Sequence, residues 1–148
     1  MANTFTQLYV QIVFAVKGRQ NLIQDHFREE VQKYISGVVS NRKQKLYAIY
    51  CMPDHVHLLV SIYPNIAISD LVRDIKAASS GFINENKWLK TKFAWQEGYG
   101  AFSYAHSQVQ QVMDYILNQP LHHRKKSFKE EYIAFLTKKL FKLFKRSL

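Results

Sequence analysis

Two strand-like segments separated by only two residues constrain the fold of this chain more than any other feature. Leu46 to Met52 (LYAIYCM) and His55 to Ile62 (HVHLLVSI) are rich in β-branched and aromatic residues, and Pro53-Asp54 lies between them. Such a short connection predicts an antiparallel hairpin, because parallel strands need a crossover of about a dozen residues or more. Any fold for the chain therefore has to contain this hairpin.

The segments on either side of the hairpin repeat one pattern, a strand and a helix. Residues 8–16 (LYVQIVFAV) predict a first, largely buried strand, and a helix is expected from Gln24. After the hairpin, Ser69 is expected to cap a second helix, and residues 93–104 (FAWQEGYGAFSY) resemble a strand with a bend. The apolar residues of the two helices recur at helical spacing: Phe27, Val31, Ile35 and Val38 in the first, and Leu71, Val72, Ile75, Ala78 and Phe82 in the second.

Two more helices are expected near the C-terminus. Ser107 with Gln110 predicts a capping box for a helix over about 107–119 that Pro120 stops, and Ser127 with Glu130 opens a basic helix over about 127–146.

The resulting order, β-α-β-β-α-β followed by helices, is that of a ferredoxin-like split βαβ fold of the α+β class. In this fold two helices cover one face of an antiparallel sheet. The appended helices or a second subunit would cover the other face. With 148 residues, 47% of them hydrophobic, the chain is expected to form a single domain over residues 1–148.

The charge of the chain favours a polyanionic partner. Lys and Arg number 21 against 11 Asp and Glu, a formal net charge of +10, so nucleic acid is favoured over a membrane surface. Cys51 is the only cysteine, which excludes an intramolecular disulfide and a multi-cysteine zinc site within one chain. No apolar segment approaches the ~20 residues of a membrane span and no signal peptide is evident, so a cytoplasmic location is expected.

The segment His55-Val56-His57 is a candidate metal-binding motif. Its two imidazoles are two residues apart on a predicted strand, so they project from the same face, while Val56 points to the other. The alternative is that both histidines simply fill a sheet face, and the isolated motif favours this alternative. Two neutral ligands are also an incomplete set, since a metal ion usually takes at least a third protein ligand.

Tyr115 and Gln119 are candidates for a nucleophile and a further ligand. They are four residues apart on the predicted third helix and therefore lie on one face of it. A tyrosine nucleophile needs a nearby cation or base, because its phenol has a pKa near ~10 in water. Alternatively, Tyr115 is a boundary aromatic residue and Gln119 a polar residue in the last helical turn.

Taken together, these segments resemble the HUH single-tyrosine transposases of the insertion-sequence 200-like family. Residues 52–59 (MPDHVHLL) are similar to the family's histidine-hydrophobic-histidine signature, and residues 115–119 (YILNQ) to the segment with its tyrosine and glutamine. Residues 12–14 (IVF), 17–19 (KGR) and 98–103 (GYGAFS) also look typical of it. The resemblance extends over nearly the whole chain, in the family's order and spacing.

This resemblance implies an activity and an assembly. His55, His57 and Gln119 would bind a divalent ion, Mg²⁺ or Mn²⁺, and Tyr115 would attack a phosphate of single-stranded DNA, leaving a 5′-phosphotyrosine link and a free 3′-hydroxyl. The expected DNA carries subterminal hairpins. The family also implies a homodimer in which the tyrosine helix of one subunit completes the histidine site of the other.

Several basic residues are candidate DNA contacts, although a solvated helix face is the alternative for any one of them. Trp88, Trp95 and Tyr99 are candidate stacking platforms, with a core position favoured for Trp95. For His122 and His123 we favour a role in phosphate binding or loop structure over metal binding. The candidate basic residues are Arg42, Lys43, Arg73, Lys76, Lys87, Lys90, Arg124 and Lys125.

Two other functions stay open at this point. One is a non-catalytic module on the same fold that binds hairpins or single-stranded DNA. The other is a metal hydrolase that uses bound water, for which Tyr115 would be dispensable.

Overall fold

The computed structural model describes residues 4–122, 130, 133 and 134. The chain divides into two compact units, residues 1–117 and 118–148. Of the helix predicted over 127–146, only Glu130, Ile133 and Ala134 are described, and all three are helical. In the described residues, no helix combines the length and the apolar character that crossing a membrane requires.

The first unit is built on a four-stranded antiparallel sheet. The strand order is β2-β3-β1-β4, which places β1 and β3 in the centre. This order and the sequence of elements confirm the predicted ferredoxin-like α+β fold. The strands are β1 (Tyr9–Ala15), β2 (Lys45–Met52), β3 (His55–Ser61) and β4 (Gly100–Tyr104).

Three helices of the first unit accompany the sheet: α1 (Asp25–Asn41), α2 (Ile68–Glu85) and α3 (Val109–Leu117). The predicted start of α1 is confirmed, since Gln24 is its N-cap residue. A short helix, α4 (Gln119–His122), belongs to the second unit.

The main hydrophobic core lies between α1, α2 and one face of the sheet. β3 contributes Val56, Leu58 and Val60, all fully buried, as the alternation of its side chains predicted. The helices contribute the apolar residues recognised by their spacing. Those that are buried are Phe27, Val31, Ile35 and Val38 of α1 and Leu71, Val72 and Ile75 of α2.

A smaller core lies on the opposite face of the same sheet. Tyr9, Ala48 and Leu59 of the strands pack there with Val109, Val112 and Ile116 of α3. One helix after the βαββαβ unit therefore covers part of the second face, as expected from the fold.

The predicted cap of the second helix is wrong. The helix starts at Ile68, before Ser69, and its N-cap is Ala67, which makes no side-chain capping bond. The carbonyl of Ala67 accepts from the N–H groups of Asp70 and Leu71. Ile66 and Ile68 pack against the main core, so apolar burial rather than a capping hydroxyl determines where α2 begins.

The predicted box at Ser107 and Gln110 is also wrong, because the N-cap residue is Ala105 and the side chain that caps its N–H belongs to Gln108. Its side-chain oxygen accepts a hydrogen bond of 3.0 Å from the N–H of Ala105, and a 3-10 turn over His106–Gln108 precedes α3. Gln110 instead donates to the carboxylate of Asp114, one helical turn further on.

Two further boundaries differ from the predictions. α3 ends at Leu117, and Pro120 is the second residue of α4 rather than a stop after a continuous helix. Proline fits there because the first turn of a helix leaves its N–H groups without helical acceptors. The strand predicted over 93–104 is reduced to β4, since Gly98 has a φ of +88° and interrupts it, with Trp95 forming an isolated bridge to Val16.

Candidate functional site

The two histidines of β3 lie on the sheet face opposite the main core. His55 and His57 are 0% and 1% exposed, and their ring centroids are 5.1 Å apart with the planes at 75°. The register pairs His57 with Val13 of β1 and Tyr50 of β2. His57 is therefore on a central strand, with a paired strand on each side. The strand alternation predicted this common face, and the structure confirms it.

Each imidazole is oriented by a neighbouring side chain through its Nδ1 atom. The Asp54 carboxylate, in the hairpin turn, accepts a hydrogen bond of 2.7 Å from Nδ1 of His55. The side-chain amide of Gln11 forms a hydrogen bond of 2.9 Å with Nδ1 of His57. Metal-binding histidines commonly donate their second ring N–H to an acceptor, which leaves Nε2 for the ligand, and the contact between His55 and Asp54 has this form.

Gln11 in turn contacts a tyrosine of β4. The hydroxyl of Tyr104 donates to Oε1 of Gln11 over 3.1 Å, so the three side chains form a continuous series across the sheet. Burial raises the pKa of Tyr104 to about 12, which keeps its hydroxyl protonated at neutral pH.

Tyr115 of α3 lies beside this pair of histidines within the same chain. Its ring centroid is 6.1 Å from that of His57, with the planes at 76°. The tyrosine is half-buried at the edge of the smaller core, which positions its ring through Ile116 and Val112 of the same helix. α3 thus brings the predicted nucleophile to the predicted metal ligands.

Gln119 is the first residue of α4, in the second unit, and is fully buried. The spacing predicted that Tyr115 and Gln119 lie on one continuous helix, but the structure places them on two separate helices. The role of Gln119 as a ligand stays a prediction.

Three residues that the sequence analysis did not single out as functional belong to the surroundings of the histidines: Gln11, Asp54 and Tyr104. Gln11 had a detectable signal, because it is a polar residue inside a strand expected to be largely buried, and such a side chain has to find a hydrogen-bonding partner. The signal for Asp54 was weaker, since it consists only of its position directly before His55. The sequence contained no signal for Tyr104.

The donor set suits a metal ion only with a further ligand. Across the residues that the structure describes, no three His, Cys, Asp or Glu side chains are grouped so as to hold an ion. The two buried imidazoles would supply two ligands. A third protein ligand would have to be of another kind, such as an amide oxygen.

Several of the candidate DNA-binding residues are already engaged within the protein. Arg42 donates to the Asp74 carboxylate over 2.8 Å, and Arg73 contacts both Asp70 and Asp74. These two arginines hold the pKa of Asp74 below its usual value, the Arg42 hydrogen bond being the largest contribution. Lys76 donates to the backbone carbonyls of Gln96 and Gly98 and lies over the ring of Phe14.

The other predicted basic residues are exposed or outside the described residues. Lys43 and Lys87 are exposed and adopt positive φ angles of 60° and 53° at helix ends, and Lys90 is also exposed. Arg124, Lys125 and His123 lie outside the described residues, and of His122 only the backbone is described. The DNA contacts of all eight basic residues stay predictions.

The candidate stacking aromatics differ in exposure. Trp95 is in the main core, as favoured, and its indole N–H donates to Ser79. Trp88 is half-buried and stacks on Phe27 with ring centroids 4.6 Å apart, so one of its faces is covered. Tyr99 is 39% exposed and keeps the best access to a base.

The chain also matches a known protein family. The family model described as "Transposase IS200 like" matches residues 4–119. The chain belongs to the IS200-like transposase family. The matched range contains His55, His57, Tyr115 and Gln119.

Relatives of this family member extend over most of its length. It is 27% identical to the ISDra2 transposase TnpA of Deinococcus radiodurans over 119 residues, which cover 76% of this chain and 84% of the relative. It is 25% identical to the transposase for insertion sequence element IS200 of Salmonella typhimurium, over 80% of this chain and 81% of the relative.

Two solved structures share the fold of this transposase. A putative transposase from Deinococcus radiodurans matches with a TM-score of 0.66 and 24% identity, covering 80% of this chain and 95% of that one. A REP-associated tyrosine transposase bound to a REP hairpin matches with a TM-score of 0.61 and 17% identity, covering 83% and 73%.

Proposed function

We propose that this transposase nicks single-stranded DNA and transfers the cut strand through a covalent link to Tyr115. The observation that carries the proposal is the position of Tyr115, whose ring lies 6.1 Å from that of the buried His57. A tyrosine beside two oriented imidazoles has the surroundings that a phenol nucleophile requires.

His55 and His57 are proposed to hold a divalent ion, Mg²⁺ or Mn²⁺, with Gln119 as a third ligand. The ion would polarise the scissile phosphate. Support comes from the hydrogen bonds of Asp54 and Gln11 to the Nδ1 atoms, which orient both rings. The assignment of Gln119 rests on the resemblance of residues 115–119 to the family segment.

The proposed reaction exchanges one phosphodiester bond for another. The oxygen of Tyr115 forms a bond to phosphorus as the phenol loses its proton, and the bond from phosphorus to the 3′-oxygen breaks. The leaving oxygen takes up a proton, which gives a free 3′-hydroxyl and a 5′-phosphotyrosine. Because the energy of the phosphodiester is kept, a second 3′-hydroxyl can reverse the reaction without ATP and join to a new end.

The proposed substrate is a single strand folded into a hairpin. The net charge of +10 favours a polyanion, and the related REP-associated transposase has been seen bound to a hairpin. The exposed Lys43, Lys87 and Lys90 are proposed phosphate contacts, together with Arg124 and Lys125. Arg42, Arg73 and Lys76 would have to exchange their present partners for phosphate.

A homodimer with composite sites is proposed from the family resemblance. The structure has Tyr115 and His57 close together within one chain. In a composite dimer, α3 would occupy the equivalent place on the partner subunit, with the same set of side chains around the reacting phosphate. Mixing a Tyr115→Phe subunit with a His57→Ala subunit would restore cleavage only if the sites are shared between subunits.

The decisive experiment uses labelled single-stranded DNA that contains the hairpins flanking the coding sequence, with Mn²⁺ added. We expect a covalent adduct between the protein and the 5′ end at the cut, which survives denaturation. Tyr115→Phe should lower the rate of adduct formation by about 10³-fold or more. Tyr63→Phe is a matched control, because Tyr63 is 50% exposed and lies outside the site.

The two alternative functions give different results in the same assay. Cleavage that survives Tyr115→Phe without an adduct would identify a hydrolase that uses water. Binding of the hairpin without cleavage, with several divalent metals, would identify a non-catalytic binding module.

A further inference from the structure

The side chains of Tyr104, Gln11 and His57 form a hydrogen-bonded series on the histidine face of the sheet. Gln11 is fully buried in the central strand β1, opposite Leu59 of β3 and Phe102 of β4. His57 and Tyr104 are its diagonal neighbours on the two flanking strands, within reach of a long side chain. The sheet register therefore determines that the amide of Gln11 lies between the imidazole and the phenol.

The direction of these hydrogen bonds determines where the proton of His57 resides. In the structure Nε2 of Gln11 faces Nδ1 of His57, and Oε1 accepts from the hydroxyl of Tyr104. An amide nitrogen can only donate, so Nδ1 accepts, and the proton of a neutral imidazole is then on Nε2. A ring in this tautomer cannot offer its Nε2 lone pair to a metal ion.

A half-turn of the amide reverses the series and leaves its members in place. Oε1 would then accept from Nδ1–H of His57, and Nε2 would donate to the hydroxyl oxygen of Tyr104. Tyrosine suits this exchange because its hydroxyl both donates and accepts, and the raised pKa of Tyr104, about 12, keeps it protonated. The Nε2 atom of His57 would now carry the lone pair that a metal requires.

The partner of His55 permits no such exchange. The Asp54 carboxylate only accepts hydrogen bonds when ionised, so it holds the Nδ1–H tautomer of His55 in every state. The two histidines are therefore prepared for a ligand by different means, one by a charged acceptor and the other by a reversible amide.

We infer that Gln11 is a positioning residue that selects the tautomer of His57 by rotating its side-chain amide, with Tyr104 accommodating both orientations. In this role it tunes metal binding without contacting the ion or the DNA. The inference deepens the proposed function, because it rests on His57 being a metal ligand.

The test measures the ¹⁵N chemical shifts of the His57 ring at pH 8, with and without Zn²⁺, a diamagnetic probe. In the wild-type protein we expect Nε2–H without metal and Nδ1–H with saturating Zn²⁺. In Gln11→Met, which keeps the length of the side chain but not its hydrogen bonds, the metal-free ring should populate both tautomers. Its Zn²⁺ affinity, from calorimetry, should fall by about tenfold or more, because the bond from the polarised Nδ1–H of the metal-bound ring to Oε1 is stronger than the bond that the metal-free ring accepts.

Gln11→Glu separates orientation from packing. A carboxylate of the same size can only accept from His57, so it should hold Nδ1–H even without metal and restore at least the wild-type Zn²⁺ affinity. Gln44→Met is the matched control: Gln44 is also buried and hydrogen-bonded, with Asn65 and the N–H of Tyr63, and its neighbour Lys45 pairs with Ser61, about 13 Å along β3 from His57. It should leave the Zn²⁺ affinity unchanged, and circular dichroism verifies that each variant is folded.

Two results would overturn the inference: a Zn²⁺ affinity of Gln11→Met within twofold of the wild type, or an Nδ1–H tautomer in the wild type both with and without metal. If Zn²⁺ does not shift the His57 signals of the wild type, the metal site of the proposed function is wrong instead. The metal-free comparison of wild type and Gln11→Met then still decides whether Gln11 selects the tautomer.

Discussion

The two faces of the sheet use the same strand for different purposes. On β3, Leu58 faces the helices and His57 faces α3 and Tyr115, and both side chains are almost completely buried, at 0% and 1% exposure. The helix face is mostly apolar, and Leu58 itself needs no hydrogen bond there. The histidine face buries polar groups that each require a partner, which Gln11, Asp54 and Tyr104 provide. Equal burial therefore reflects packing on one face and chemistry on the other.

The largest effect is expected from a substitution on the histidine face. His57→Leu should lower cleavage by about 10³-fold or more, since it removes a proposed metal ligand, while an apolar side chain of similar size should keep the protein folded. Single-turnover cleavage of the hairpin substrate and thermal unfolding measure the two effects. The exposed His26 provides the control variant His26→Leu, which should cleave normally. A His57→Leu protein that cleaves at the wild-type rate would remove the distinction between the faces.

A loss of stability, rather than a loss of cleavage in a folded protein, is expected one residue further along the strand. Leu58→Ala should lower the free energy of unfolding by about 3–4 kcal/mol, because it leaves a cavity in the main core. Leu59→Ala is the matched variant on the other face and should cost about 2–3 kcal/mol, since the smaller core can adjust through α3. Urea unfolding checks this order. A larger loss for Leu59→Ala would show that α3 and the smaller core contribute more stability than the helix face.

A buried hydrogen bond within the helix face gives an intermediate effect. Trp95 donates to Oγ of Ser79 over 2.9 Å, and Ser79→Ala would leave the indole N–H without this acceptor, at a cost of about 1–2 kcal/mol. Ser80→Ala, on the next residue of α2, makes the same chemical change where the hydroxyl donates only to the carbonyl of Ala77. The free energies of unfolding from urea titrations should differ between the two variants. Equal values would mean that the indole N–H finds another acceptor.

The effect that is smallest at neutral pH concerns the thiol of the main core. Burial raises the pKa of Cys51 from 9.0 to about 12, so the folded protein keeps the thiol neutral while the unfolded chain ionises near pH 9. The stabilising contribution of this group is therefore complete below about pH 9 and is lost as the pH rises towards 12. Cys51→Ala should make the free energy of unfolding fall less steeply over this range, in urea titrations at successive pH values. Parallel curves for the two proteins would contradict a buried, neutral thiol.

The elements of the fold could be predicted where apolar periodicity is strong. The hairpin with its two-residue turn, the apolar stripe from Phe27 to Val38 and the common face of His55 and His57 follow from local spacing, and the structure confirms them. The ends of elements were predicted less well. Ser69 and Ser107 satisfy local rules for capping, but the packing of Ile68 against the main core and the hydrogen bond from Ala105 to Gln108 determined the actual starts.

The sequence by itself determined the fold class, the histidine pair, the candidate tyrosine and the positive charge, because these depend on residue type and on short spacings along the chain. Only the tertiary structure decided that Tyr115 lies beside His57 and that Gln11 and Tyr104, 93 residues apart, share a hydrogen bond. Such contacts depend on strand order and register, and a shift of the register by one residue would turn every side chain of a strand to the opposite face. No local pattern contains that information, since it arises only when distant strands pair.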